Sequence, residues 1–371
     1  MTSEIDFLKK ETRSAARIVK NSFFILAARG IQILSSFFIL VAVTKYLTVQ
    51  GYGDYSFVTA LVSSVMALTY FGIQRIIIRE ISRDRTKAHQ YLGSAILMRT
   101  CLSVIAAAAL IISMWFIKMS DMMVSAIIII IISEFFLTFS MLIKAVFQAY
   151  EKMIYEPVLT VIYYLLLASA ITVVIYLDMG FLWLIIATAA ANAVQFSLAA
   201  YIVSSRFVRP SFNIDKTMFW TFLKNSSVIG IGIFLYQNLF RIDVLMLKWL
   251  GSAEDVAFFQ VPHGIIVQIE ILPAAVISAL FPVFSRMFHS EPEKAASVFE
   301  KSFRYIFILS FVPAIYLSLF SKEVIEMIFG SKYAQSTTAL SVISWAIIPI
   351  SMDMFFNSIL TVMNKQRYNA I

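Results

Sequence analysis

Apolar runs of 20 residues or more recur along the whole chain, and each is long enough to cross a hydrocarbon layer of about 30 Å. That pattern constrains the fold more than any other feature. A soluble domain has too little interior to hide it, and the composition agrees: 60% of the 371 residues are hydrophobic and mean hydropathy is +0.84. The chain reads as an all-α polytopic membrane protein. Ten spans are expected, at about 22–47, 55–78, 92–117, 122–147, 158–177, 181–204, 226–250, 257–281, 303–320 and 334–363. The last contains Pro349 and is expected to tilt or kink.

The net charge of +8 would suggest nucleic acid in a soluble protein. Here basic loops facing an anionic leaflet explain it better, and no nucleic-acid partner is expected. Of the 30 lysines and arginines, 22 fall in the N-terminus, the loops after even-numbered spans and the C-terminal end, against 5 on the opposite side. This bias puts the N-terminus and the Arg75–Lys87 loop in the cytoplasm of a multi-pass protein of the cytoplasmic (inner) membrane. Residues 1–21 mix acids and bases with a Lys9, Arg13, Arg17 stripe. They read as an interfacial cytoplasmic helix or as a solvated charged tail. The single cysteine, Cys101, excludes a disulfide framework. The three histidines, His89, His263 and His289, are too scattered for a metal cluster.

The chain also contains itself twice. The tripeptide Lys20–Ser22 recurs at Lys224–Ser226, the Lys45 stretch matches that at Lys248, Arg83 matches Arg286, and Arg99 matches Arg304, all at offsets of 203–205 residues. Tyr150–Tyr155 resembles Met363–Tyr368 at an offset of 213. A repeat of six spans keeps both copies in one orientation and implies two lobes about an axis along the membrane normal, as transporters have. The first lobe is expected over 22–205, a cytoplasmic linker over 206–225 and the second lobe over 226–371. The second copy stops two spans short of the first, as a truncated product or a shortened lobe would.

The turn Gly51, Gly53, Tyr55, Ser56, Phe57 and the "REISR" end of span two resemble signatures of the polysaccharide-biosynthesis (Wzx-type) oligosaccharide flippases, members of the multidrug/oligosaccharidyl-lipid/polysaccharide (MOP) exporter superfamily. Span seven departs from the family pattern: Val244 replaces a basic residue, which stands instead at Arg241. The resemblance implies a MATE-like two-lobe fold and a function by alternating access. The cargo it implies is a polyprenyl-pyrophosphate-linked oligosaccharide, moved across the membrane for surface polysaccharides such as O-antigen. Membrane lipids and other polysaccharide-assembly proteins are the further partners it implies.

Charges inside spans are costly, about 2.5–3.5 kcal/mol each at the bilayer centre, so they mark interiors or wet cavities. Arg29, Arg241, Gln32, Gln237 and Asn238 are the candidate substrate-binding residues, since guanidinium binds phosphate oxygens bidentately. Tyr70 and Asn357 are further polar candidates. Glu134, Asp243, Glu270 and Asp353 are candidates for ion coupling. For each, a structural contact between helices is the competing reading. Arg99 and Lys144 are expected to snorkel to the cytoplasmic surface. Pro262, Gly264 and Pro273 are candidate hinge residues. No P-loop, G-x-S-x-G or H-E-x-x-H motif occurs, so no enzyme, metal or cofactor is expected. Two alternatives stay open. A cation-coupled multidrug exporter would use the acids, and a non-transporting scaffold would suit a short second lobe.

Overall fold

The computed structural model describes residues 27–116, 119–212, 216–239, 241–290 and 292–363. The expected interfacial helix over 1–21 lies outside the described residues. Every long element is a helix: α1 (Ala27–Tyr46), α2 (Val49–Met66), α3 (Ile73–Arg83), α4 (Ala88–Phe116), α5 (Asp121–Ala149), α6 (Tyr155–Tyr176) and α7 (Phe181–Arg206). They are followed by α8 (Lys216–Leu239), α9 (Ile242–Leu250), α10 (Ala253–Ser290), α11 (Pro292–Leu319), α12 (Ser321–Phe329), α13 (Ser336–Ile343) and α14 (Ile347–Val362). Among the described residues nine helices are long and apolar enough to cross a bilayer, and ten if one bent pair counts as a span.

That pair is span seven. It is expected as one span over about 226–250, and it bends by 47° between Gly230–Leu239 and Ile242–Leu250, with Arg241 at the break. Span two, α2 and α3 together, is also interrupted. After Met66 a 3-10 turn, Ala67–Thr69, leads to Phe71 and Gly72 in the left-handed region, at φ 34° and 67°. Gly72 takes this conformation at no steric cost and N-caps α3. Hydropathy detects neither break, because the residues around both stay apolar on average. In span ten the interruption is the 3-10 turn Ser344–Ala346, which precedes Pro349. Pro349 sits in the first turn of α14, where its missing N–H has no helical partner to lose. The helix α10 runs unbroken through Pro262 and Pro273.

Two compact units are formed. One holds the chain up to Ile39 with Val58–Ile242; the other holds Leu40–Phe57 and the chain from Asp243 onward. This is a division by packing, distinct from the sequence repeat whose boundary is expected over 206–225. The tip of the α1–α2 hairpin groups with second-repeat helices, and α8 groups with first-repeat helices. In the first unit α5 packs along α7 and α3, and α6 along α7. The α3 side chains sort cleanly by face: Ile73, Ile76, Ile77 and Ile81 are buried, while Arg75, Arg79 and Arg83 are exposed. The isoleucines join Leu142, Val146 and Phe147 in one core. Just after α3, Asp84 accepts bonds from the Thr86 N–H and hydroxyl, which hold its carboxyl below the usual range. In the second unit α10, α11 and α14 close around Ile277, Phe284, Ile306 and Phe355.

Candidate functional site

The break in span two organises the site. A helix leaves its last carbonyls without partners, and in a membrane such groups must find donors in the protein or in a wet cavity. Here Arg241 Nη1 donates to the Ser63 carbonyl at 2.9 Å, and Asn238 Nδ2 donates to the Ser64 carbonyl at 3.3 Å. Both carbonyls lie in the last turn of α2. Both donors lie at the break in span seven, so two interrupted helices meet and each supplies what the other lacks.

The Ser63 hydroxyl turns the other way and donates to Glu134 Oε1 at 2.5 Å. Ser63 thus joins an arginine and a glutamate through separate atoms, and the two charges also attract one another. Tyr70, at the start of the break, feels the charge of Glu134, Arg99 and Arg241 together. On α5 the residue before Glu134, Ser133, accepts from Asn192 Nδ2 at 3.0 Å, and about two turns later Ser140 donates to Gln195 at 3.2 Å. A row of polar contacts therefore runs along the α5–α7 interface away from Glu134.

Arg99 corrects an expectation. It does not snorkel: its side chain is fully buried at 0% exposure. Its guanidinium donates to the carbonyls of Thr138 and, at 3.3 Å, of Tyr70, and it lies 5.7 Å from the Tyr70 ring centroid. Thr138 is one helical turn beyond Glu134. Arg99 thereby ties the break in span two to the part of α5 that carries the glutamate. No carboxylate pairs with it among the described residues.

The remaining candidates are dispersed. Arg29 is exposed on α1, and no contact joins it to Arg241 among the described residues. Gln32 bonds Tyr164 of α6. Gln237 is half-buried beside Asn238. Asp243 falls in the other unit from Arg241, accepts from the Val244 N–H at 2.7 Å and attracts His263 of α10. Glu270 is half-buried, Asp353 is exposed, and neither has an ion pair among the described residues. Pro262 and Pro273 are buried, and Gly264 packs closely against Leu40. The sequence reading missed Ser63, Ser64 and His263. The adjacent serines in an otherwise apolar span were the available signal, since small hydroxyl residues at that depth usually bond across helices.

Of the arginine candidates, only Arg241 combines partial burial with unused donors. One of its five N–H groups is committed to Ser63, and the others have no protein partner among the described residues. The site can therefore hold an anionic oxygen on Arg241 beside a carboxylate that Ser63 positions. Among the described residues no group of three or more histidine, cysteine or acidic side chains could hold a metal ion.

Residues 18–288 match the family model described as "Polysaccharide biosynthesis protein". No curated protein matches the chain in a sequence search. Solved structures share its fold at low identity. An inward-facing multidrug resistance MATE family transporter of the MOP superfamily superposes with a TM-score of 0.70 at 16% identity, covering 94% of this chain and 86% of its own. The outward-facing conformation of such a transporter gives 0.66 at 16%, covering 95% and 83%. A MOP superfamily transporter from Pyrococcus furiosus, noted for a binding pocket of reverse polarity, gives 0.63 at 14%, covering 95% and 83%. With nine or ten helices among the described residues long and apolar enough to cross a membrane, on the fold of MATE transporters, the chain belongs to the polysaccharide biosynthesis protein family.

Proposed function

We propose that the protein is a flippase. It moves a polyprenyl-pyrophosphate-linked oligosaccharide from the inner to the outer leaflet of the cytoplasmic membrane by alternating access, with its N-terminus in the cytoplasm. The observation that carries this reading is Arg241, a half-buried guanidinium with unused donors at a broken span. A pyrophosphate needs such a partner to leave water, because its charge cannot enter hydrocarbon alone. The polyprenyl tail stays in lipid, and the sugar hydroxyls bond amides such as Asn238 and Gln237. Arg29, exposed on α1, is a second phosphate ligand in this scheme.

Flipping of a fluorescent polyprenyl-pyrophosphate oligosaccharide in proteoliposomes tests it. Arg241→Ala should lower the rate at least tenfold. Arg241→Lys should recover only part, since an ammonium has no fork. Wild-type rates in both variants would move Arg241 to a purely structural role. The cation-coupled multidrug exporter remains a second reading because Glu134 stands at the same break. It requires efflux of a cationic dye that Glu134→Gln abolishes.

A further inference from the structure

The span ends opposite the arginine-rich loops carry contacts that cargo binding does not use. Helix α1 finishes at Tyr46, so its last carbonyls lack helical partners. Three carbonyls there are taken by side chains from far along the chain. Lys332 Nζ donates to the carbonyls of Lys45 at 3.0 Å and Leu47 at 2.8 Å. The Tyr333 hydroxyl donates to the Thr44 carbonyl at 3.1 Å. A cation at a helix C-terminus also complements the helix dipole. Beside this clasp, Lys248 pairs with Asp54 at 2.8 Å and lies 5.8 Å from the Phe57 ring centroid.

These contacts explain why the hairpin tip Leu40–Phe57 groups with the chain from Asp243 onward. The tip continues by helical backbone, through α1 and α2, into the other unit. It is held to the second repeat by these side chains and by the close backbone approach of Gly53 to Ala253, with no covalent link there. Water reaches the charged part of this clasp, though not the buried Tyr333: Lys332 is exposed, and the side chains of Lys248 and Asp54 keep 24% and 21% of their surface accessible. In alternating access the weaker connection yields.

We propose that Lys332 and Tyr333, with the Asp54–Lys248 pair, form a releasable latch. It clasps the end of α1 and the hairpin tip to the second-repeat helices. The proposal rests on transport by alternating access, but its test needs no substrate. Spin labels go at Gln50 and Gln335, both exposed, on a Cys101→Ser background in lipid nanodiscs, and pulsed EPR gives the distance distribution. The unsubstituted latch should give one dominant short distance. Lys332→Met and Asp54→Lys should each raise the share of longer distances at least threefold. Adding Lys248→Asp to Asp54→Lys restores the pair with reversed charge and should return the distribution to its starting shape. Wild-type distributions in all folded variants would overturn the latch, as would a reversed pair as open as Asp54→Lys alone. If Lys332→Met fails to fold, the charge-reversal series decides. Failure of the flippase reading would appear separately, as absent glycolipid movement with the distances still responding.

Discussion

Arg99 and Arg241 are both arginines in apolar surroundings, yet their chemistry differs. Arg99 spends its charge on two main-chain carbonyls and has no exposed surface, so no substrate reaches it. Its work is to hold the break of span two against α5. Hydrogen bonds to charged groups contribute about 1.5–3 kcal/mol each, so Arg99→Ala should cost about 3 kcal/mol or more. The check is thermal unfolding in detergent, where Ala should lower the midpoint by several degrees and Lys by less. An unchanged midpoint for Ala would refute this role. Position in an apolar window showed that a charge was there, but not its depth or partner. The snorkelling expectation for Arg99 failed because its charge is met by two main-chain carbonyls inside the unit rather than by the membrane surface.

At the scale of elements, the number of spans was legible because hydrocarbon demands length and apolarity, both written in the residues. The breaks were not, since a helix can stop in a membrane only where a neighbour supplies donors, and that neighbour is distant in sequence. Ser63 and Arg241 show this, 178 residues apart. The glycine pair before α2's apolar stretch was visible as a signature, but its two members have different reasons. A Cβ on Gly53 would stand 1.7 Å from the Ala253 carbonyl oxygen, where backbone meets backbone. On Gly51 it would meet the Thr48 hydroxyl at 3.1 Å and the Leu47 Cβ at an ordinary 3.8 Å, both side-chain atoms. Gly53→Ala should therefore sharply reduce the yield of monodisperse protein in gel filtration, while Gly51→Ala should stay near wild type. Equal yields would remove close helix approach as the reason for Gly53.

For the whole molecule, the proposed orientation with a cytoplasmic N-terminus rests on the charge bias of 22 to 5. A cysteine at Arg83, on a Cys101→Ser background, should react with an impermeant thiol reagent only after cells are opened. Labelling from outside intact cells would invert the topology and with it the direction of transport.

The contacts described in each of the two units share one property: Arg99, Asn238, Arg241, Lys332 and Tyr333 all donate to main-chain oxygens. A carbonyl is present whatever side chain its residue carries. Tolerance to substitution should therefore be lopsided. In a saturation scan the five donors should accept few replacements, while Thr44, Lys45, Leu47 and Ser64 should accept many as far as these bonds are concerned. Ser63 would be the exception, because its hydroxyl also serves Glu134. Half of each contact is thus invisible to selection on side chains, and variation at one partner carries no record of the other.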